Sequence, residues 1–572
     1  MNSYPLQRHR PVGLFLAIFA LSTAVWAQAP ATSAQVPAPT IRVTTHMVLV
    51  DVVVTDKQGK ALTTLGPEDF VVEENGKPQK IATFVKAGHS PSAAEPLPPG
   101  IYSNRPEYRT TGGPITVLLL DALNTEFKDQ AYARQQMLRF VQQQYQPGKR
   151  MAIFTLTGSL GVLQDFTTDP QILYTALQRY QPQPKTLQTA VQPTQSGEGA
   201  ATTSQVATDL DAATSPLSDS SASAAVAAFA GAQVGYAEDQ RAVITLNALS
   251  SLSRILGGLP GRKSVIWVTG ELPFSLIPED RNVTEAELGE DLPSLNTRRV
   301  GEHAAGSSAA FFRQSHAEDI RETSARLSSA QVAIYPVDAR GLSISTDIDS
   351  QETMREMARE TGGRAYVNQN EIKDGVSRAF EDELATYTIG YYPENKKYDG
   401  KYRSLKVKVN QGGVETFSRR GYYAIDPAQI KGYNASQDVS SAMSNAAPAT
   451  QVSFTAQVVP PEANPTKGKV GVYFLVDAST ITQEDASGGK KLNVLFYTSV
   501  YSADGKLTAH QSQKVDQVFD NDSYQKIMQH GMMLHMDLDA KGGASQVRLA
   551  VQDGRTGLVG TINAPVKAAV NQ

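Results

Sequence analysis

Cysteine is absent from all 572 residues, which removes disulfides, thiol nucleophiles, cysteine metal sites and a lipid-carrying N-terminal cysteine. A secreted chain without disulfides depends on sizeable cores, which fits a bacterial periplasmic or extracellular protein better than a small eukaryotic module. A positive surplus is missing too. With 53 basic against 57 acidic residues the net charge is -4, so the balance gives no basis for binding nucleic acid. Beyond the first thirty residues no apolar run approaches the about 20 residues of a membrane-spanning helix. Complete catalytic motifs are also lacking. "GGLPGRKS" has the wrong spacing for a phosphate loop and precedes a strand, "TGSLG" is not a nucleophile elbow, and the scattered histidines form no H-E-x-x-H. His530 and His535 flank a Met-rich strand and read as surface residues. An enzyme is therefore not expected.

What is present begins with Arg8 and Arg10, an apolar run from Val12 to Trp26, and small residues at Ala27 and Ala29. This is the pattern of a cleavable secretory signal peptide over 1–27, cut after Ala27 or Ala29, with an uncleaved anchor as the competing reading. The protein is expected to be secreted or periplasmic and its mature chain to lack a transmembrane segment. A Pro/Ala-rich stretch over 28–40 reads as disordered. At about one domain per 150 residues, the length implies three or four units.

Residues 41–86 are dense in β-branched residues and carry Asn75-Gly76 between two apolar runs, a strong hairpin signal. A Pro-rich linker follows over 87–113. From 114 to 385 strands alternate with helices. "ITVLLLD" reads as a strand buried on both faces, and Ala133, Met137, Phe140 and Val141 share one helix stripe. This pattern predicts an α/β domain with a mostly parallel, doubly wound sheet, interrupted by a flexible insertion at 186–235 and a polar loop at 275–310. Strands return over 386–426. Since 41–86 and 386–426 are each too small to bury a core, they are expected to form one β-sandwich with the α/β domain inserted between them. A linker at 427–450 leads to a C-terminal all-β unit, 451–572, immunoglobulin- or fibronectin-like in architecture. The tyrosines of "YTIGYYP" and "RRGYYA" read as half-buried sheet residues before they read as a glycan site.

Ligands of a parallel sheet bind beyond the carboxyl ends of its strands, and Asp121 stands at such an end. Over residues 41–425 the chain resembles the von Willebrand factor type A (vWA) domains, and most closely the vWA-related family described from Acidobacteria. The resemblance rests on "VVVTDKQGKALTTLGPEDFVVEENGKPQKIATF", "ITVLLLDALNTEF", "DFTTDP", "KSVIWVTGELP", "VAIYPVDARGL", "ARETGGRAY" and "YTIGYYPENKKYDGKYRSLKVKV", in that order. It implies a Rossmann-like vWA fold and a metal-ion-dependent adhesion site holding Mg²⁺ or Mn²⁺ through D-x-S-x-S, a threonine from a middle loop and a later aspartate. Mg²⁺ takes six hard oxygen ligands, several of them water, which leaves a vertex for a partner's carboxylate.

Asp121 and Thr125 match the ends of that motif, whereas Leu123 stands at its middle and Gly270 where the later aspartate belongs. The resemblance leaves Asn124 and Glu271 as substitute oxygen ligands, and Thr186 and Thr189 as candidates for the middle-loop threonine. Without a metal, Asp121 would cap the following helix, worth about 0.5–2 kcal/mol, and a buried Leu123 would contribute about 1.5–3 kcal/mol. Asn124, Glu126, Glu271, Asp338 and Arg340 are the expected partner-binding edge, with a surface Asp338–Arg340 ion pair of ~0–1 kcal/mol as the plainer reading. The function expected is non-catalytic binding of a protein or cell-envelope ligand at this edge. A hydrolase with its ion on Asp121 and Glu271, and a purely structural envelope scaffold, are the alternatives.

Overall fold

The computed structural model describes residues 47–86, 97–109, 115–145, 149–183, 220–274, 317–341, 348–382, 386–425, 435–444, 447–539 and 544–566. The expected signal peptide, the stretch 28–40, residues 186–219 with Thr186 and Thr189, and the loop 275–310 lie outside them.

Val48–Asp56 (β1), Phe70–Glu74 (β2), Lys77–Gln79 (β3) and Ile81–Lys86 (β4) combine with Thr386–Tyr391 (β11), Tyr402–Val409 (β12), Val414–Ser418 (β13) and Gly421–Tyr423 (β14). They form two sheets, β13-β1-β11-β4 and β14-β12-β2-β3. Because side chains alternate along a strand, Val50, Val52 and Val54 of β1 share one face, and they meet Phe70, Val72, Tyr387 and Ile389 in a common core. Asn75 and Gly76, with φ of 49° and 75°, make the two-residue turn between β2 and β3, where Glu74 pairs with Lys77.

The intervening segment holds a five-stranded sheet built from Ile115–Asp121 (β6), Arg150–Leu156 (β7), Leu160–Thr167 (β8), Lys263–Thr269 (β9) and Val332–Asp338 (β10). Its order is β10-β9-β6-β7-β8; neighbouring strands are parallel except β8, which runs antiparallel to β7. Every residue of β6, β9 and β10 is buried, since alternate side chains feed two separate cores. On one face Val117, Leu119, Val265 and Trp267 pack with Leu249, Leu252 and Leu256 of the helix Ser220–Leu256 (α3) and with Leu327 of Ala317–Ser329 (α4). On the other, Leu118, Leu120, Ile266 and Val268 pack with Met137 and Phe140 of Phe127–Gln143 (α1), Leu177 of Pro170–Arg179 (α2) and Phe380 of Ile372–Asp382 (α6). Each such side chain, fully buried, contributes about 1.5–3 kcal/mol. Ile348–Thr361 (α5) adds Met354 and Met357 to the first core.

The C-terminal unit holds two further sheets that share one core. Phe454–Val459 (β15), Lys469–Val476 (β16) and Met532–Asp539 (β20) lie in one sheet, and Gln483–Ala486 (β17), Gly489–Tyr501 (β18), Gln546–Asp553 (β21) and Val559–Pro565 (β22) in the other. Leu507–Phe519 (β19) pairs with β18, and the helix Asn521–His530 (α8) follows it.

Two segments read as linkers are folded. Ile101–Ser103 (β5), inside 87–113, pairs with β15, and the side chain of buried Asn104 accepts from the Phe454 amide (2.8 Å) and donates to the Ala449 and Val452 carbonyls (3.1 and 2.8 Å). Ala435–Ser444 (α7), inside 427–450, buries Val439 and Ala442 against Ala550 and Val559. Small and polar composition suggested linkers, yet small residues also permit close packing. The helix α3 likewise begins at Ser220, inside the expected insertion.

At the end of α3 the backbone meets the C-terminal unit. The Gly258 amide donates to the Thr450 hydroxyl (2.9 Å), which donates to the Ile255 carbonyl (2.9 Å), and a Cβ on Gly258 would lie 1.7 Å from the Thr450 carbonyl oxygen. Gly258→Ala is therefore expected to cost about 3 kcal/mol, the upper end for overpacking. A thermal unfolding midpoint within a degree or two of the parent would show that the contact yields.

Candidate functional site

Because β6, β9 and β10 are adjacent and parallel, their carboxyl ends Asp121, Thr269 and Asp338 line one edge of the sheet. The chain leaves β6 in a tight turn. The amides of Ala122 and Leu123 both donate to the Leu156 carbonyl (2.8 and 3.0 Å), and the Asn124 amide donates to Asp121 Oδ1 (2.9 Å). Asp121 is thus spent on the turn, six residues before the first residue of the helix, Phe127. Glu126 is the N-cap residue of α1, without a side-chain cap bond, so the helix-cap reading of Asp121 is corrected.

Three further donors converge on the other oxygen. Asp121 Oδ2 lies 2.9 Å from each of Asn124 Nδ2, Trp267 Nε1 and Thr269 Oγ1. Thr269 is also 2.7 Å from the Glu271 carbonyl oxygen, so its one proton serves both acceptors in turn. Asn124 Nδ2 reaches Thr245 Oγ1 of α3 (3.2 Å), and the Thr125 hydroxyl accepts from the Gly270 amide (2.9 Å). Burial pushes the Asp121 carboxyl up from the ordinary carboxylate range, against the pull of the Asn124, Thr269 and Trp267 hydrogen bonds. Behind the turn, buried Gln130 donates to the Thr125 carbonyl (2.8 Å) and accepts from the Gln183 amide (2.9 Å).

Asp121, Asn124, Thr125 and Asp338 are each at most 2% exposed, so Asn124 and Asp338 are corrected from partner-facing to internal positions. Arg340 folds back onto Asp338 through two side-chain hydrogen bonds of 2.9 Å and a backbone one of 3.0 Å. This bidentate pair has its acid buried, unlike an exposed one. Glu271 pairs with Arg241 of α3. Of the expected edge, Glu126 is exposed, and Glu271 and Arg340 are partly exposed. Phe127, which the sequence reading passed over, stands beside Glu126 with 54% of its surface exposed. Asp129 completes this rim, within electrostatic reach of Lys128, Glu126 and Arg340.

The residues at the motif positions do not fit a hexacoordinate cation as they stand. A carboxylate offers about four acceptor sites, and four protein donors already address those of Asp121. Leu123 is 4% exposed and sits in the same core as Trp267. A side chain at Gly270, where the later aspartate would stand, meets the Asn124 carbonyl oxygen at 3.2 Å and Thr125 Cα at 3.3 Å. Glu271 faces Arg241. Among the described residues no group of three or more His, Asp or Glu is placed to hold a metal ion. Trp267, Thr269 and Thr245 were missed because they lie more than a hundred residues from Asp121. The signal that could have found Trp267 is that a buried indole N–H needs an acceptor.

No protein-family model matches the chain, and no curated protein matches it. Solved structures similar to part of it include two from Bacteroides. An aerotolerance-related membrane protein from Bacteroides fragilis is 10% identical, with a TM-score of 0.21, over 47% of this chain and 98% of its own. The conserved hypothetical protein BatB from Bacteroides thetaiotaomicron is 11% identical, with the same score and coverage. Among the described residues no helix is long and apolar enough to cross a membrane.

Proposed function

We propose that this is a secreted or periplasmic vWA-related binding protein, non-catalytic, whose α/β domain offers the rim at Glu126, Phe127, Glu271 and Arg340 to a protein or cell-envelope ligand. The observation that carries the reading is the exposed phenyl ring of Phe127 at the carboxyl edge of the sheet, beside Glu126. Aromatic side chains in such positions are the common anchors of interfaces, ringed by charge that sets orientation. The ring stands on a turn fixed by buried hydrogen bonds, so little ordering remains to be done on binding.

The test is a pull-down from an envelope fraction with the full-length protein. Phe127→Ala should weaken capture by tenfold or more, about 1.4 kcal/mol or above, as an interface anchor does. Glu126→Arg should weaken it further by charge reversal, while both variants keep the parent's unfolding curve. Capture unaffected by either substitution would remove the rim from the binding surface, and chelator-sensitive hydrolysis of ester, peptide or glycan probes would replace the reading with an enzymatic one.

A further inference from the structure

We infer that the indole N–H of Trp267 takes, at Asp121, the place that a divalent cation would take in an ion-dependent adhesion site, so that the conformation of this edge is set by an internal donor and is independent of divalent ions. The inference does not rest on the proposed binding function.

The geometry is a closed donor set. Trp267 stands in the middle strand of the three whose ends form the edge, and its fully buried ring packs in the core that also holds Leu123. From there Nε1 reaches Asp121 Oδ2 at 2.9 Å, beside Thr269 Oγ1 and Asn124 Nδ2 at the same distance. The fourth donor, the Asn124 amide, holds the other oxygen. A cation entering here would have to turn away N–H groups that cannot coordinate it, and the indole cannot rotate without displacing the core around it. The bonds also join separate elements. Asn124 ties the turn to Thr245 of α3, and Thr269 ties β9 to the same carboxylate. The coupling that an ion would give to turn, helix and neighbouring strand is thus supplied by hydrogen bonds.

The test uses the secreted protein, in which removal of the expected signal peptide takes Trp26 with it, or the precursor carrying Trp26→Phe; in either, Trp267 is the one indole. Mn²⁺, a paramagnetic quencher, is titrated against the emission, and Mg²⁺ or EDTA against the thermal midpoint. The expected result is no saturable quenching and no midpoint shift beyond that of the Asp121→Asn variant. Saturable Mn²⁺ quenching that Asp121→Asn abolishes overturns the inference. A second arm is a double-mutant cycle of Trp267→Phe and Asp121→Asn, followed by far-UV circular dichroism in urea. A coupling of about tenfold or more in the unfolding constant is expected from a bond to a charged acceptor, and additive effects overturn the inference. If Trp267→Phe does not fold, the Mn²⁺ titration of the Trp267-containing protein and of its Asp121→Asn variant decides alone, with the outcomes given above.

Discussion

Asp121→Ala lowers the stability of the folded protein by about 2–4 kcal/mol, the cost of the two donors it strands less the desolvation of the buried carboxylate it removes. The Asn124 amide and the Trp267 indole N–H both point at this carboxylate and lose their acceptor in a site excluded from water. Each such orphan costs about 1–3 kcal/mol. The other two donors keep a partner, because the Thr269 hydroxyl has the Glu271 carbonyl and the Asn124 side chain has Thr245. Removing a carboxylate that burial already disfavours returns part of the loss. The helix-cap reading gives a different number, about 0.5–2 kcal/mol, and a metal-ligand reading gives a loss that chelator reproduces in the parent. Urea unfolding of the parent and the variant, with and without EDTA, separates all three. A loss below about 1 kcal/mol would mean that the turn finds other acceptors, and the keystone role of Asp121 would be wrong.

The elements around this site were legible because their signals are local. An unbroken apolar run such as "ITVLLLD" fits a strand with helices on both faces, and all its residues are buried. The stripe of Ala133, Met137, Phe140 and Val141 is the buried side of α1. Asn75-Gly76 accepts positive φ at both turn positions. What could not be read is pairing across sequence. Asp121 and Trp267 are 146 residues apart, and no periodicity says that one strand's indole ends on the next strand's acid. Spacing also misleads in a specific way: a carboxylate that accepts the amide three residues on makes a tight turn, and the same D-x-x-N-T letters match both ends of a D-x-S-x-S metal motif. β5 and α7 were hidden for a related reason. Composition reports on the average character of a segment, whereas their order comes from Asn104 and Val439 finding partners hundreds or scores of residues away.

Lys263→Met is expected to stabilise the protein at pH 7 by about 1–2 kcal/mol, an unusual sign for a substitution in a fully buried position. Lys263 opens β9 at the opposite edge of the sheet from Asp121 and is 1% exposed. Its Nζ donates to the Leu259 carbonyl at 2.8 Å. Burial pushes the ammonium down from 10.5 to about 8, while the Asp51 carboxylate of β1 pulls it back up. Between those two values the unfolded chain binds a proton that the folded chain has released, so stability rises with pH across that window. Below pH 8 the full cost of burying the charge is present, about 3 kcal/mol for a shift of this size. Methionine removes that cost and forfeits one hydrogen bond, worth about 1 kcal/mol. Asp51 keeps the Thr388 hydroxyl at 2.5 Å and the nearby charges of Arg262 and Arg419, so the substitution does not strand it. The comparison belongs below pH 10. Above it tyrosines such as Tyr145 and Tyr180, whose hydroxyls burial pushes up from 10.0 to about 12, ionise on unfolding and reverse the slope. Urea midpoints of parent and variant, taken in steps from pH 7 to 10, should converge as pH rises. Parallel curves, or a variant weaker than the parent at pH 7, would show that the Leu259 and Asp51 contacts outweigh the desolvation of the ammonium.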